Sequence, residues 1–293
     1  MEQLLINILG IIILLFLVDK LSPFSLKMNP FGSNKFWTYI EDESVGYLKV
    51  ALQKMRYELP DLIILSPQTV HKYLPEFPLT MGDCNDPECL KDKIDILFAY
   101  ILEKYGGTCI SPGCLVMPSI YKFMNKTYSR DIVTINNTDN TSVQNYIVGG
   151  KKNSEISRRY KESLLKRNSI INITPLEDNK SSSDILYELI IELKPCHYNF
   201  PAEYGGFLNM DGDEIIYGQY FEKMPIKNIN SESIITLIIP FNELLKNNKL
   251  GEVIQKDYLE LQEDNINIVE YIRAPKKKLS RKSIFHRLGL IDI

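Results

Sequence analysis

The chain lacks a strong charge of either sign: 34 Lys and Arg stand against 37 Asp and Glu, leaving a formal net charge of −3 over 293 residues. No global positive field is present to draw the protein onto nucleic acid, and no nucleic-acid partner is expected. Histidine is scarce too. The three present, His71, His197 and His286, share no metal-ligand spacing and are expected to be structural or exposed. Cysteine numbers five: Cys84, Cys89, Cys109, Cys114 and Cys196. An odd count leaves at least one thiol in a monomer and defines no disulfide framework. The two four-residue gaps, Cys84 to Cys89 and Cys109 to Cys114, have the look of a paired metal site, but buried thiols are the simpler expectation. A helix after Cys89 running antiparallel to the next strand would carry Cys89 towards Cys114, where a disulfide or metal clip could form.

Long apolar runs are lacking as well, with one exception. Residues 4–18 are interrupted by a single Asn, and Leu21 to Phe24 extend the run. A bilayer span needs about 20 apolar residues, so residues 1–24 read as a short single-pass anchor, with a linker over 25–35. A cleaved signal peptide is the competing reading. It would begin with basic residues and end at a small-residue pair, whereas Glu2 is the first charge here and Asp19-Lys20 follow the run. Lys20, Lys27 and Lys35 lie after the run and no Lys or Arg precedes it, which leaves the large domain on the cytosolic side by the positive-inside rule.

Close to half of the residues are apolar and about a quarter are charged, ordinary for a globular chain of this length, so one large domain over 36–272 is expected. Phe36 to Ile40, Tyr47 to Glu58, Leu62 to Leu65 and Ser66 to Val70 read as strand, helix, strand, helix. Ile94, Leu97, Ile101, Leu102 and Tyr105 recur at three- and four-residue steps and predict a helix from Pro87 to Tyr105, stopped by Gly106 and Gly107. Asp95 lies off that stripe, so it can face a cleft; a solvated helix carboxylate is the plainer reading. Further on, Asp131 to Ile135 and Tyr146 to Val148 read as strands, before a charged helix holding Arg158, Arg159 and Tyr160. This order of elements is α/β.

The segment Asp95-Ile-Leu-Phe-Ala-Tyr-Ile-Leu-Glu-Lys-Tyr-Gly-Gly-Thr-Cys-Ile-Ser-Pro-Gly113 resembles the signature of DXD-type glycosyltransferases, the initiating-mannosyltransferase and capsular-polysaccharide-synthesis kind. That pattern, shared with the large clostridial glucosylating toxins, is Asp, Arg three later, Leu, Gly-Gly, three residues and Asp-x-Asp. Asp95, Leu102, Gly106 and Gly107 match. Phe98 stands at the Arg position, and Ser111 and Gly113 stand at the two metal-binding Asp positions. Trp37 and Tyr39 resemble the family's opening segment, where such aromatics line the nucleotide base pocket; ordinary strand aromatics are the alternative. Together the two segments cover about residues 36 to 118.

The resemblance implies a GT-A-like α/β fold with a mixed central sheet. It also implies vestigial nucleotide-sugar-binding residues Trp37, Tyr39, Asp95, Gly106 and Gly107, no catalytic residue, and a degenerate metal site at Ser111 and Gly113. A hard cation prefers carboxylate oxygens, and losing such an electrostatic partner costs about 100- to 1000-fold in rate. A catalytically inactive, membrane-anchored structural or binding module without a cofactor is therefore expected. Its partners would be the membrane and other membrane or capsid proteins. The Asn- and Ile-rich composition suits a large DNA virus, so a virion membrane is the expected setting. An active transferase, using Mn or Mg and a nucleotide sugar through a relocated site, is the alternative, and Golgi enzymes of this type orient opposite to the charge rule.

For that relocated site the sequence offers Asp211-Gly-Asp213 after Tyr204-Gly-Gly206, but four residues separate Gly206 from Asp211 where the family has three. A hairpin turn leading to a strand at Glu214 to Tyr217 is the competing reading. The tail, 273–293, is basic and interleaved with Leu279, Ile284, Phe285 and Leu288. It can rest on an anionic membrane, dock on a partner or remain solvated.

Overall fold

In the computed structural model, the described residues are 35–41, 46–78, 87–138, 141–171, 180–209, 211–215, 219–220 and 233–238. The anchor, nearly all of the linker and the basic tail lie outside them. Residues Met1–Asn34 and Lys35–Ile293 form separate units, and only the second is described. Among the described residues no helix is long and apolar enough to cross a membrane.

The chain folds as a mixed α/β domain. Strand β1 (Phe36–Tyr39) leads through α1 (Gly46–Glu58) to β2 (Leu62–Leu65), then through the short α2 (Val70–Tyr73) and the long α3 (Pro87–Lys104) to β3 (Gly107–Ile110). The short β4 (Leu115–Val116), α4 (Ile120–Thr127), β5 (Ile132–Asn136), β6 (Val143–Gly150), α5 (Glu155–Ile171), α6 (Ser182–Leu193) and β7 (His197–Phe200) follow, and β8 (Thr236–Leu237) comes last among the described residues. Six strands form one sheet in the order β2-β1-β3-β6-β5-β7, and β4 pairs with β8 apart from it. Strand β1 is parallel to both β2 and β3, β6 is antiparallel to β3 and β5, and β7 is parallel to β5.

Period-two alternation divides the sheet into two buried faces. Trp37, Tyr39, Cys109, Ile132 and Val148 join a core with α3, α5 and α6, whereas Phe36, Ile110, Val133, Ile135 and Ile147 pack with Ile120 and Phe123 of α4. Helix α3 has the predicted start and ends one residue early. Its predicted stripe is nevertheless too narrow, because every residue from Lys93 to Leu102 is buried. The sheet lies on one side of α3 and α5 and α6 cover it elsewhere, so its interior is core around the full circumference. Full burial of each Leu or Ile there contributes about 1.5–3 kcal/mol. Helix α6 is started by a capping box in which the Ser181 hydroxyl accepts from the Asp184 N–H and the Asp184 carboxylate accepts from the Ser181 N–H.

The Gly106-Gly107 pair is demanded by the backbone. Both glycines have positive φ, +67° and +99°. A Cβ on Gly107 would lie 2.3 Å from the Lys35 carbonyl, and one on Gly106 would lie 2.5 Å from the Lys152 backbone nitrogen. The first glycine turns the chain out of α3, and the second lets β3 pass against the start of β1, where the Thr108 N–H donates to the Lys35 carbonyl at 2.9 Å.

Candidate functional site

The strand order fixes where a ligand crevice belongs. From β1 the chain moves to β2 on one side and returns to β3 on the other, so the topological switch point lies between β1 and β3. In parallel α/β sheets ligands bind outside the carboxyl ends of the strands at such a point. Here those ends are Tyr39 to Glu41 after β1 and Ser111 to Gly113 after β3.

The Ser111–Cys114 turn is closed rather than open. Ser111, Pro112, Gly113 and Cys114 are all buried. The Ser111 N–H donates to the Tyr146 carbonyl at 2.7 Å, the Cys114 N–H to the Ser111 carbonyl at 3.0 Å, and the Tyr47 hydroxyl to the Gly113 carbonyl at 3.2 Å. A divalent cation does not fit this turn: it offers a hydroxyl and no carboxylate. Among the described residues no three His, Cys, Asp or Glu side chains gather as a metal site.

Asp95 is buried inside the domain. Its carboxylate accepts from Lys91 at 2.8 Å and from the Ser182 hydroxyl at the start of α6. Ser182 also accepts from Lys91 at 3.0 Å and from the Asn145 amide at 2.8 Å, and the Ser183 hydroxyl donates to Asn145 at 2.9 Å. Nearby, Arg167 of α5 forms an ion pair with Asp92. Burial pushes the Asp92 carboxyl up from its ordinary value, Arg167 opposes this, and the Asp95 charge adds to it. Asp95 thus ties α3 to α6 and β6. The sequence signal missed here is the far side of this lock, since Ser182 is 87 residues away.

Trp37 and Tyr39 are fully buried on β1. The Trp37 indole N–H donates to the Gly106 carbonyl at 3.2 Å, and its ring lies 5.6 Å from Tyr73 and 5.2 Å from Tyr105. The structure therefore brings Trp37 and the glycine pair together as one packed unit. Tyr39 instead points its hydroxyl to the Glu41 carboxylate. Lys93 grips that same carboxylate, at 3.2 and 3.3 Å from its two oxygens, and sits 5.3 Å from the Tyr39 ring centre. Burial and the adjacent Glu41 push the Tyr39 phenol well above its ordinary range. A signal for Lys93 existed in the sequence, because it falls four and eight residues before Leu97 and Ile101, a lysine at a core position.

Asp211 and Asp213 are exposed in a hairpin. Leu208 and Glu214 form an antiparallel bridge, and the Asn209 side-chain oxygen accepts from the Asp211 and Asp213 N–H groups at 2.9 and 2.8 Å. The Asp-Gly turn expectation holds; residues 216 and 217 of the expected following strand lie outside the described residues. Cys109, Cys114 and Cys196 are thiols. Cys89 is disulfide-bonded, so the anticipated Cys89–Cys114 clip is not formed: Cys114 keeps its thiol hydrogen and points it at the Tyr146 carbonyl, 3.7 Å away. His197 contacts the Thr134 hydroxyl through Nε2 at 2.8 Å, and burial holds its imidazole below the ordinary value of 6.5. His71 is half-buried, and His286 lies outside the described residues.

No family model matches the chain, and no curated protein matches it. Among solved structures the chain is similar to one titled "PaToxG Glycosyltransferase", at 12% identity over 86% of this chain and 90% of that chain, with a TM-score of 0.35. Chains that far apart need share no more than a broad α/β plan.

Proposed function

We propose that this chain is a membrane-anchored, glycosyltransferase-like module of the GT-A type that has given up metal-dependent sugar transfer and serves as a structural or binding domain. The single observation that carries this reading is the closed turn at Ser111–Cys114. The segment aligned with Asp-x-Asp stands at the switch point, yet it is buried and holds no carboxylate. Asp95, aligned with a nucleotide ligand, is buried and bonded through one carboxylate oxygen to Lys91 and Ser182. The two-segment resemblance over about residues 36 to 118 supports the family assignment, and the apolar run at 4–18 supports the anchor. A virion membrane remains the proposed setting, on composition alone.

Two observations bear on the side of the membrane and oppose each other. Lysines after the apolar run favour the cytosol, whereas the Cys89 disulfide belongs to an oxidising compartment or a virion surface. Non-reducing peptide mapping of the protein from its native membrane decides between them: a thiol at Cys89 supports the cytosolic placement, and a disulfide supports the other.

The functional reading is tested by incubating the full chain with UDP- and GDP-sugars, with and without Mn²⁺, and following donor hydrolysis. No Mn²⁺-dependent release of free sugar is expected from folded protein. Turnover that requires Mn²⁺ would overturn the proposal.

A further inference from the structure

The sequence carries five Asn-x-Ser/Thr triplets, beginning at Asn125, Asn136, Asn140, Asn172 and Asn179. Such triplets are acceptors of N-linked oligosaccharides. Asn125 and Asn136 belong to the described residues, and the fold treats them oppositely. Asn136 ends β5 half-buried, and its side-chain oxygen accepts from the Asn199 amide of β7. Asn125 is exposed on the last turn of α4, and its side-chain amide makes no hydrogen bond to any described residue. The other two members of its triplet turn inwards. Lys126 places its ammonium 4.4 Å from the centre of the Tyr198 ring, and Thr127 is buried with its hydroxyl donating to the Met124 carbonyl at 2.7 Å. A large hydrophilic group on Asn125 therefore displaces no packing, whereas one on Asn136 would press against β7.

We propose that Asn125 carries an N-linked oligosaccharide. The amide nitrogen of Asn125 bonds to the anomeric carbon of an oligosaccharide delivered on a polyprenyl diphosphate. The bond from that carbon to the diphosphate oxygen breaks, the polyprenyl diphosphate leaves, and the amide gives up one proton. Thr127, whose hydroxyl completes the acceptor triplet, is closed off in the folded domain, so the transfer precedes folding. The Cys89 disulfide belongs to the same oxidising compartment in which such oligosaccharides are attached. The inference rests on the anchored reading above, with the domain on the side that this disulfide favours, and it is independent of whether the domain transfers sugar itself.

The test is peptide mapping of the full chain, made with its own N-terminus in cultured animal cells and digested without reduction. Half of the sample is first treated with an amidase that cleaves N-linked oligosaccharides and leaves Asp in place of the glycosylated Asn. The residue at 125 is expected to appear as Asp after treatment only, with Asn136 unchanged and Cys89 in a disulfide. Asn125→Gln should remove one step of gel mobility and stay folded by circular dichroism, and Thr127→Ser, which keeps both the triplet and the buried hydroxyl, should retain that step. An unmodified Asn125 overturns the proposal. If Cys89 is then a disulfide, the site alone fails; if Cys89 is a thiol, the placement of the domain fails with it. An oligosaccharide on Asn136 with Asn125 bare overturns it equally. Mn²⁺-dependent turnover would sink the inactive reading and leave the modification of Asn125 to be judged separately.

Discussion

Two short segments imitate parts of one signature, and they divide it between them. Ser111–Gly113 has the place, at the carboxyl end of β3 after a helix and a Gly-Gly pair, but no carboxylates. Asp211–Asp213 has the carboxylates but not the place, since it caps an exposed hairpin whose geometry is set by the Asn209 side chain. The contrast separates what a fold requires from what chemistry requires. The glycines have a packing reason, since a Cβ on Gly107 would meet the Lys35 carbonyl and one on Gly106 the backbone at Lys152. The Ser111–Cys114 turn holds no carboxylate and is closed by hydrogen bonds to backbone carbonyls.

The largest expected effect comes from forcing the two halves together. Ser111→Asp with Gly113→Asp places two carboxylates in a buried turn, and we expect a loss of about 4 kcal/mol or more, the scale of uncompensated buried charge. Denaturant unfolding with and without Mn²⁺ checks it, and a Mn²⁺-induced recovery would show the turn to be a latent metal site. Gly107→Ala should cost about 3–5 kcal/mol, combining backbone strain with a collision against Lys35. Gly212, also at positive φ, has nothing within 4 Å of its added Cβ, so Gly212→Ala should cost only about 1 kcal/mol. Equal losses at the two glycines would break the distinction between packing and conformation.

Asp95→Ala leaves the partly buried Lys91 beside Ser182 without its carboxylate and should cost about 3 kcal/mol. If Asp95 served a ligand instead, stability would hardly change. A smaller effect comes from His197. Its folded value lies below 6.5 because burial disfavours the charged ring, so between the two values the unfolded chain binds more protons. Stability is then full above 6.5 and falls as pH drops below it, until the folded value is passed. Denaturation midpoints at pH 7.5 and 5.5 should show this fall, and His197→Gln should flatten it. Smallest of all, Asp213→Asn should lie within about 0.5 kcal/mol and leave Mn²⁺ response unchanged.

The local plan was legible in the sequence. Helical spacing and the glycine pair marked α3, the run Leu62–Leu65 is β2 as read, and Asp-Gly gave the hairpin. Strand order, and with it the switch point, could not be read from periodicity, because it depends on pairings such as Phe36 with Thr108. The burial of Asp95 escapes the sequence for a related reason: a carboxylate off one apolar stripe is solvent-facing only if nothing covers that side, and α6 arrives from far along the chain to cover it. Lys93 and Glu41, 52 residues apart, meet only once the sheet exists.

The central claim is that the switch point binds no catalytic metal. Electron paramagnetic resonance of Mn²⁺ in a titration of the full chain, with UDP or GDP present, tests it most directly. The account predicts a free-Mn²⁺ signal that matches the nucleotide alone at every protein concentration. Stoichiometric loss of that signal on adding folded protein would contradict it.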